Sequence, residues 1–423
     1  MSDRPITVVG TGTGAPLPPD AAAAVAGAGL VVGGRRHLAA APVAADAEQV
    51  VLGALAPALD IIERHLDEER HPDRRSPVVV LASGDPGFFG IVRVLAERFG
   101  AERLDVRAGV SSVAAAFARV GLPWDDAVVV SAHGRELRTA VNVCRARPKV
   151  AVLTGPGAGP AELGAALGSD ARVLVVASAL GSKDERVERV TPAEAAARDW
   201  GSSVSVVLCL DEARTLGAAR TVAGPPAGPA GWALDEGDFA HRDSMITKFE
   251  VRALALSRLG PRLGDLVWDV GAGSGSVAVE CARFGAAVTA VEKTLDGVGR
   301  IRANAMAHGV DVRVVHGAAP TVLSGLDDPD AVFVGGGGRE LPAVVTACAR
   351  RARRTVVVAM AALDRVPAVR AALTDAGLDC DGVLLQSSRL APLPGDVTRL
   401  AATNPVFLLW GVRPPARREG ATK

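Results

Sequence analysis

Short apolar runs recur along the first half of the chain at 6–9, 30–33, 78–82, 127–131, 150–154, 173–178 and 203–210. Between them lie Ala- and Leu-rich stretches such as 50–69 and 90–99. Runs without polar alternation suit strands covered on both faces, with the intervening helices as cover. The pattern predicts mainly parallel, buried sheets. Residues 215–231 (TLGAARTVAGPPAGPAG) then lose all periodicity and concentrate Gly, Pro and Ala, a composition that builds no packed core and reads as a linker. A second α/β series follows, with strands expected at 266–270, 287–292, 310–316, 331–334, 355–359, 383–388 and 404–410. The closing PPARREGATK reads as a frayed tail. These boundaries predict a domain over 1–214, a linker over 215–235 and a second domain over 236–423.

Composition narrows the class. A length of 423 residues, 49% of them hydrophobic, fits two or three α/β domains with sizeable cores. The 47 basic and 47 acidic residues cancel, so no global field draws the protein to nucleic acid or to a membrane surface. Five scattered cysteines (Cys144, Cys209, Cys281, Cys348, Cys380) form no CxxC pair, and no His cluster has zinc spacing. They read as reduced core thiols, and no metal is expected. MSDRP runs directly into the strand-like ITVVG, so no secretory leader is expected. The apolar run at 21–34 is short, broken by Gly and followed by Arg35, Arg36 and His37, so it does not span a bilayer. A cytoplasmic location is the expectation.

Two glycine-rich loops carry the candidate chemistry. In WDVGAGSGS, Gly271, Gly273 and Gly275 follow an apolar strand, a helix follows them, and the next strand ends in Glu292. This is a βαβ unit with an acidic residue placed to accept hydrogen bonds from ribose hydroxyls. The dinucleotide fingerprint GxGxxG fails here because its last position is Ser276. GxGxG before an acidic strand end fits S-adenosylmethionine (SAM) better than NAD. At 332–339 a further strand ends in VGGGGR, where Gly336 and Gly337 let backbone approach a flat substrate. His241, Arg242, Asp243 and Lys248 cluster just before this fold; on pattern alone they read as a solvated helix start, with Ser244 or Thr247 as its cap.

The other loop, TVVGTGTGAP, matches GxGxxA in form and fails in context. Pro16, Pro18 and Pro19 follow at once, and the next strand-like run ends without an acidic residue. No GK[ST] follows, which excludes a P-loop. Its companion is VVVLASGDPGFFG, where a buried strand delivers Ser83, Gly84, Asp85, Pro86 and Gly87 to a tight loop.

Taken in order, GTGTG, SGDPG, AGVSS and SAHGR resemble the tetrapyrrole methylase family, and SAHGR resembles its cobalamin-pathway branch that methylates carbon 5 of a precorrin. The resemblance continues through LGSKDERV (180–187) and covers 4–210. The second half resembles the partner enzyme that methylates carbon 15 and decarboxylates an acetate side chain. HRDSMITKFEVRALALSRLGPRLGDLVWDVGAGSGSVAVE, AVEK, IRANA and DPDAVFVGGGG match it in order over 241–338. The fused arrangement resembles the precorrin-6Y C(5,15)-methyltransferases (decarboxylating). That resemblance implies an α/β chain: an N-terminal two-lobed tetrapyrrole methylase fold joined by a Gly/Pro linker to a C-terminal Rossmann-like SAM methyltransferase fold.

It also implies SAM-dependent methylation of precorrin-6Y at carbons 5 and 15 with loss of the ring C acetate carboxyl, giving precorrin-8X in cobalamin biosynthesis. The cobalt-precorrin counterpart of the anaerobic pathway is the alternative. SAM is expected at two sites. Gly10, Gly12, Gly14, Ser83, Gly84, Asp85, Pro86, Gly87, Ser111 and Ser112 would hold the first, and Asp269, Gly271, Gly273, Gly275 and Glu292 the second. The substrate's carboxylates call for cations, and Arg forks suit them. His133 and Arg135 in the first half, and His241, Arg242 and Lys248 in the second, are the candidates, with Gly336 and Gly337 beside the macrocycle. No general acid or base is assigned. Homo-oligomers are expected from both families.

The chain departs from the family pattern in three places. Ala108 stands where Pro often precedes GVSS. Gly317 is followed by Ala318, where the family commonly has an Asp to meet adenine. Residues 359–362 read AMAA in place of a polar Asn-Ala-Val-Thr segment. The change at Ala318 is expected to weaken SAM binding in the second half. Two rival readings are a nucleic-acid methyltransferase and a SAM-binding protein without turnover. The first draws on NPVF at 404–407, but that segment falls on a late strand, and zero net charge with few aromatics opposes it.

Overall fold

A computed structural model describes residues 6–68, 77–201, 205–217, 221–224, 229, 231–242, 246–336 and 338–415. Packing divides the chain into two compact units, one of residues 1–135 and 149–224, the other of 136–148 and 225–423.

Unit one contains two five-stranded sheets. In the first, β1 (Ile6–Gly10), β2 (Leu30–Gly33), β3 (Glu48–Val51), β4 (Val78–Ala82) and β5 (Leu104–Arg107) lie in the order β3-β2-β4-β1-β5, every pair parallel. The two faces explain the unbroken apolar runs. Ile6, Val8, Leu30, Val32, Val78 and Val80 pack against Ile62, Leu95 and Phe99 from two helices. Val9, Val31, Val79 and Leu81 pack on the other face against Ala21, Val25 and Leu38. The second sheet holds β6 (Val128–Ser131), β7 (Lys149–Leu153), β8 (Val173–Ser178), β9 (Arg186–Val190) and β10 (Ser205–Leu210) in the order β6-β7-β10-β8-β9. Only β6 and β7 run parallel; the other three pairings are antiparallel. The expectation of mainly parallel sheets fails here, because burial of both faces gives an apolar run whichever way the neighbours point.

Unit two is built on a seven-stranded sheet. Its strands are β11 (Leu266–Val270), β12 (Ala287–Glu292), β13 (Arg313–His316), β14 (Ala331–Val334), β15 (Thr355–Met360), β16 (Asp379–Leu385) and β19 (Val406–Val412), and β17 (Ser388–Leu393) with β18 (Val397–Ala402) forms a separate hairpin. The order is β13-β12-β11-β14-β15-β19-β16, with the first five parallel and β19 antiparallel to both neighbours. The strand order reverses direction at β11, so the crevice beyond its carboxyl end is where an open α/β sheet binds ligands. Among the described residues no helix is long and apolar enough to cross a membrane.

Candidate functional site

The first glycine loop is a junction of backbones. It leaves β1, and the loops after its two sheet neighbours, β4 and β5, close on it. Thr11 donates from N and from Oγ1 to Ala82 O at 2.8 and 3.0 Å. Gly12 N donates to Gly84 O at 3.2 Å and Gly84 N donates back to Gly12 O at 2.9 Å. At Gly10 an added Cβ would stand 2.5 Å from Gly109 N and 2.7 Å from Gly84 O, so no side chain fits there. Gly12, Gly14 and Gly84 take φ of +56°, +97° and +61°, the left-handed region that L side chains avoid. From the second lobe of the same unit, Gly181 O lies 3.6 Å from where a Gly14 Cβ would be. Glu185 fixes that segment by accepting from Gly181 N at 2.6 Å and from Arg119 Nε and Nη2 at 2.5 and 3.1 Å. The Arg119 hydrogen bonds hold the Glu185 carboxyl below its ordinary value.

The second loop is closed by side chains. Gly271, Gly273 and Gly275 take φ of +74°, +57° and +74°. Gly271 N and Ala272 N donate to Val291 O at 2.9 and 3.1 Å, which ties the loop to the end of β12. The Glu292 carboxylate accepts from Gly273 N at 3.0 Å, Thr294 N at 2.9 Å and Thr294 Oγ1 at 2.8 Å. Three of its roughly four acceptor positions are taken, which leaves one for a ligand hydroxyl. Asp269, fully buried at the end of β11, accepts from Ala278 N through Oδ2 at 2.9 Å, while its Oδ1 has no hydrogen-bond partner among the described residues. Burial above all pushes its carboxyl up to about 7, and the Glu292 charge adds to this. A Cβ at Gly273 would meet nothing within 4 Å, so this glycine faces open space. Gly335 N donates to Val270 O at 2.9 Å, which sets the 335–336 segment beside Gly271.

Two domain families match the chain in succession. Tetrapyrrole (Corrin/Porphyrin) Methylases cover residues 5–196, and the Precorrin methyltransferase domain covers 238–412. A precorrin-6Y C(5,15)-methyltransferase [decarboxylating] from Sinorhizobium is 38% identical over 345 residues, 79% of each chain. The chain belongs to the precorrin-6Y C(5,15)-methyltransferase (decarboxylating) family. Single-function relatives also match. A cobalt-precorrin-7 C(5)-methyltransferase of Salmonella typhimurium is 33% identical over 49% of this chain and 99% of its own. A probable cobalt-precorrin-6B C(15)-methyltransferase (decarboxylating) of Pyrobaculum calidifontis is 39% identical over 39% of this chain and 87% of its own. The precorrin-6Y methyltransferases are SAM-dependent, with a small tetrapyrrole as substrate class.

In the first unit, the fold gathers Gly10, Gly12, Gly14, Ser83, Gly84, Pro86 and the 109–112 segment at one sheet edge. Several of the expected ligand groups have internal tasks. Ser111 Oγ accepts from Ala114 N at 3.1 Å and caps the helix Ser112–Val120. Asp85 Oδ1 accepts from Gly87 N at 2.7 Å and closes its own turn. Arg135 lies over the exposed Phe89 ring at 5.7 Å, at the end of the 83–90 loop. His133 Nδ1 lies 3.3 Å from Thr154 O, between the ends of β6 and β7.

In unit two, His241 and Arg242 are exposed and follow Ala240, which is clamped to the loop by Asn304. Asn304 Nδ2 donates to Ala240 O at 2.9 Å and to Ser274 O at 2.7 Å, and its Oδ1 accepts from Ala240 N at 2.8 Å. The IRANA motif contained this residue; nothing in its spacing marked it as a clamp. Lys248, not Thr247, is the N-cap of the helix Phe249–Leu259, and its side chain makes no cap hydrogen bond. Glu236 Oε1 accepts from Phe249 N at 2.8 Å. Arg389, hydrogen-bonded to Glu236, is the main reason its carboxyl is held down at about 2. Asp243, Ser244 and Gly337 lie outside the described residues.

Proposed function

We propose that this chain methylates precorrin-6Y at carbons 5 and 15 and removes the ring C acetate carboxyl, giving precorrin-8X, with one SAM bound in each half. The carrying observation is the pair of unlike glycine loops, each at the carboxyl ends of parallel strands and each inside a segment matched by a different methyltransferase family. When bound, SAM supplies a methyl group on a positively charged sulfur, an electrophile for an electron-rich carbon.

The residues fit such a ligand. In the second half Gly273 faces open space, Glu292 keeps one acceptor position, and Asp269 Oδ1 is buried without a partner among the described residues. Gly271, Gly273, Gly275, Asp269 and Glu292 are assigned to cofactor binding there. In the first half, Gly10, Gly12, Gly14, Ser83, Gly84, Asp85, Pro86, Gly87, Ser111 and Ser112 form the corresponding cradle. A Cβ at Gly12 would meet only ordinary contacts, the nearest at 3.6 Å, so the left-handed backbone accounts for that glycine.

The protein's contribution is positioning: rigid loops bring methyl and carbon to reacting distance and exclude water. Arg135 and His133 in the first half, and His241, Arg242 and Lys248 in the second, would orient peripheral carboxylates, with Gly336 and Gly337 against the macrocycle face. Decarboxylation then uses the macrocycle as electron sink. The chain is further assigned a cytoplasmic, homo-oligomeric state.

Mass spectrometry of precorrin-6Y incubated with protein and SAM tests the reading. Two methyl gains and one CO2 loss are expected. A product with one methyl and its carboxyl intact removes the second-half assignment. Turnover of only the cobalt-containing substrate moves the protein to the anaerobic pathway.

A further inference from the structure

Arg36 follows β2 at the carboxyl edge of the first sheet, beside the loop that leaves β4. Its guanidinium is pinned by two neutral groups. Nε donates to His37 Nε2 at 3.1 Å, and Nη2 donates to Ser83 Oγ at 2.8 Å. Ser83 Oγ in turn lies 3.0 Å from His37 Nε2. An arginine only donates, so Nε2 is the acceptor and the imidazole proton sits on Nδ1. That Nδ1 is buried with no hydrogen-bond partner among the described residues. An orphaned buried donor is destabilising, because it gives up its hydrogen bond to water and gains none. The fold retains this cost while presenting the opposite nitrogen to Arg36. Burial first, then the Arg36 charge, lowers His37 from its ordinary value, so the ring stays neutral at pH 7 and keeps accepting.

The result is an exposed cation in a fixed orientation. No acidic side chain pairs with Arg36 among the described residues, and three of its five N–H donors remain uncommitted. Five other arginines of this unit, Arg98, Arg107, Arg119, Arg189 and Arg198, each hold a carboxylate. Ser83 joins Arg36 directly to the loop whose next residue, Gly84, bridges to Gly12. A preset guanidinium fork without a counter-ion, at a strand's carboxyl edge, matches a carboxylate.

We infer that Arg36, oriented by His37 and Ser83, is a carboxylate receptor of the first site. This rests on the two-site methyltransferase reading above. The carboxylate has two sources: the amino-acid end of SAM, or a peripheral acetate or propionate of the tetrapyrrole.

The experiment compares the full-length wild type with Arg36→Gln and Arg36→Lys. SAM titration by calorimetry and the KM and kcat for carbon 5 methylation of precorrin-6Y are the readouts. A tenfold or greater weakening of one SAM site, with the other unchanged, supports the receptor and assigns the cofactor carboxylate. A tenfold or greater rise in the precorrin KM, with SAM binding and kcat nearly unchanged, supports it and assigns the substrate. Arg36→Lys retains the charge without the fork and should recover part of either loss; if Arg36→Gln does not fold, its loss is read from the lysine variant. Unchanged SAM affinity together with unchanged KM overturns the inference. The titration needs no precorrin turnover, so failure of the substrate assignment is seen separately.

Discussion

The two glycine loops are alike in sequence and are held by different physics. Around Gly10, Gly12 and Gly84 the contacts are backbone to backbone, and at Gly10 the neighbouring chains leave no room for one added carbon. Around Gly271, Gly273 and Gly275 the requirement is conformational, with Ile301 also crowding an added Cβ at Gly275 to 3.0 Å. All three glycines are left-handed, the space outside Gly273 is open, and the loop is held in place by the Glu292, Thr294 and Asn304 side chains. At Gly10 the first loop is therefore intolerant through packing, and at Gly273 the second is intolerant through backbone conformation. A glycine motif by itself does not say which.

Valine at the two positions separates these cases most widely. Gly10→Val drives a branched side chain into Gly109 and Gly84, whose backbones have nowhere to move, and should cost at least about 3 kcal/mol in unit one. Carbon 5 methylation should vanish together with protection of β1 amides in hydrogen exchange. At Gly273 an added Cβ meets nothing within 4 Å, so the cost of Gly273→Val is chiefly left-handed strain, about 1–3 kcal/mol. It should abolish carbon 15 methylation and decarboxylation, lower the SAM stoichiometry by one, and leave β1 protection intact. Loss of both activities from Gly273→Val alone would show that the sites are not independent.

The asymmetry was only partly legible in the sequence. Apolar runs located the central strands because both faces of those sheets are buried. The strands at 48–51, 104–107, 186–190, 388–393 and 397–402 carry no unbroken apolar run. The first three lie at sheet edges and the last two pair in a hairpin, where EQVV, LDVR, RVERV, SRLAPL and VTRLAA carry charge without losing pairing. The glycine motifs gave the loops, while the groups that hold them are distant in sequence. Asn304 on a helix and Arg36 after a strand look like solvated surface until the fold brings Ser274 and Ser83 to them. Ser111 and Asp85 show the converse: residues expected to face a ligand also serve a helix cap and a turn.

A pH series tests the buried carboxyl under the second loop, for which the first loop shows no counterpart. Asp269 is raised to about 7 in the folded chain, against about 3.9 when unfolded. Between these values the folded state binds a proton that the unfolded state does not. The contribution to stability is therefore full below about pH 4 and is lost as pH rises through 7, by roughly 3–4 kcal/mol. Asp269→Asn should remove this slope from unit two, read as hydrogen exchange of β11 between pH 5 and 8, and leave β1 unaffected. Parallel slopes in wild type and variant would place the charge elsewhere.

The smallest effect concerns how completely the second cradle is furnished. Gly317 N donates to Glu292 O at 2.9 Å, so the loop after β13 begins next to the carboxylate assigned to the ribose. Ala318 is exposed there and offers no polar group. Ala318→Asp adds an acceptor for the adenine amine, and a hydrogen bond to a charged group contributes about 1.5–3 kcal/mol. Repulsion from Glu292 offsets part of this, since screening is incomplete within about 8 Å at physiological salt. A net gain of about tenfold is expected in the KM for SAM of the carbon 15 step, with the carbon 5 step unchanged. The gain should grow with added salt as the repulsion is screened. Equal improvement in both steps would mean that the substitution acts on the whole protein, and no improvement in either would mean that adenine does not reach the loop after β13.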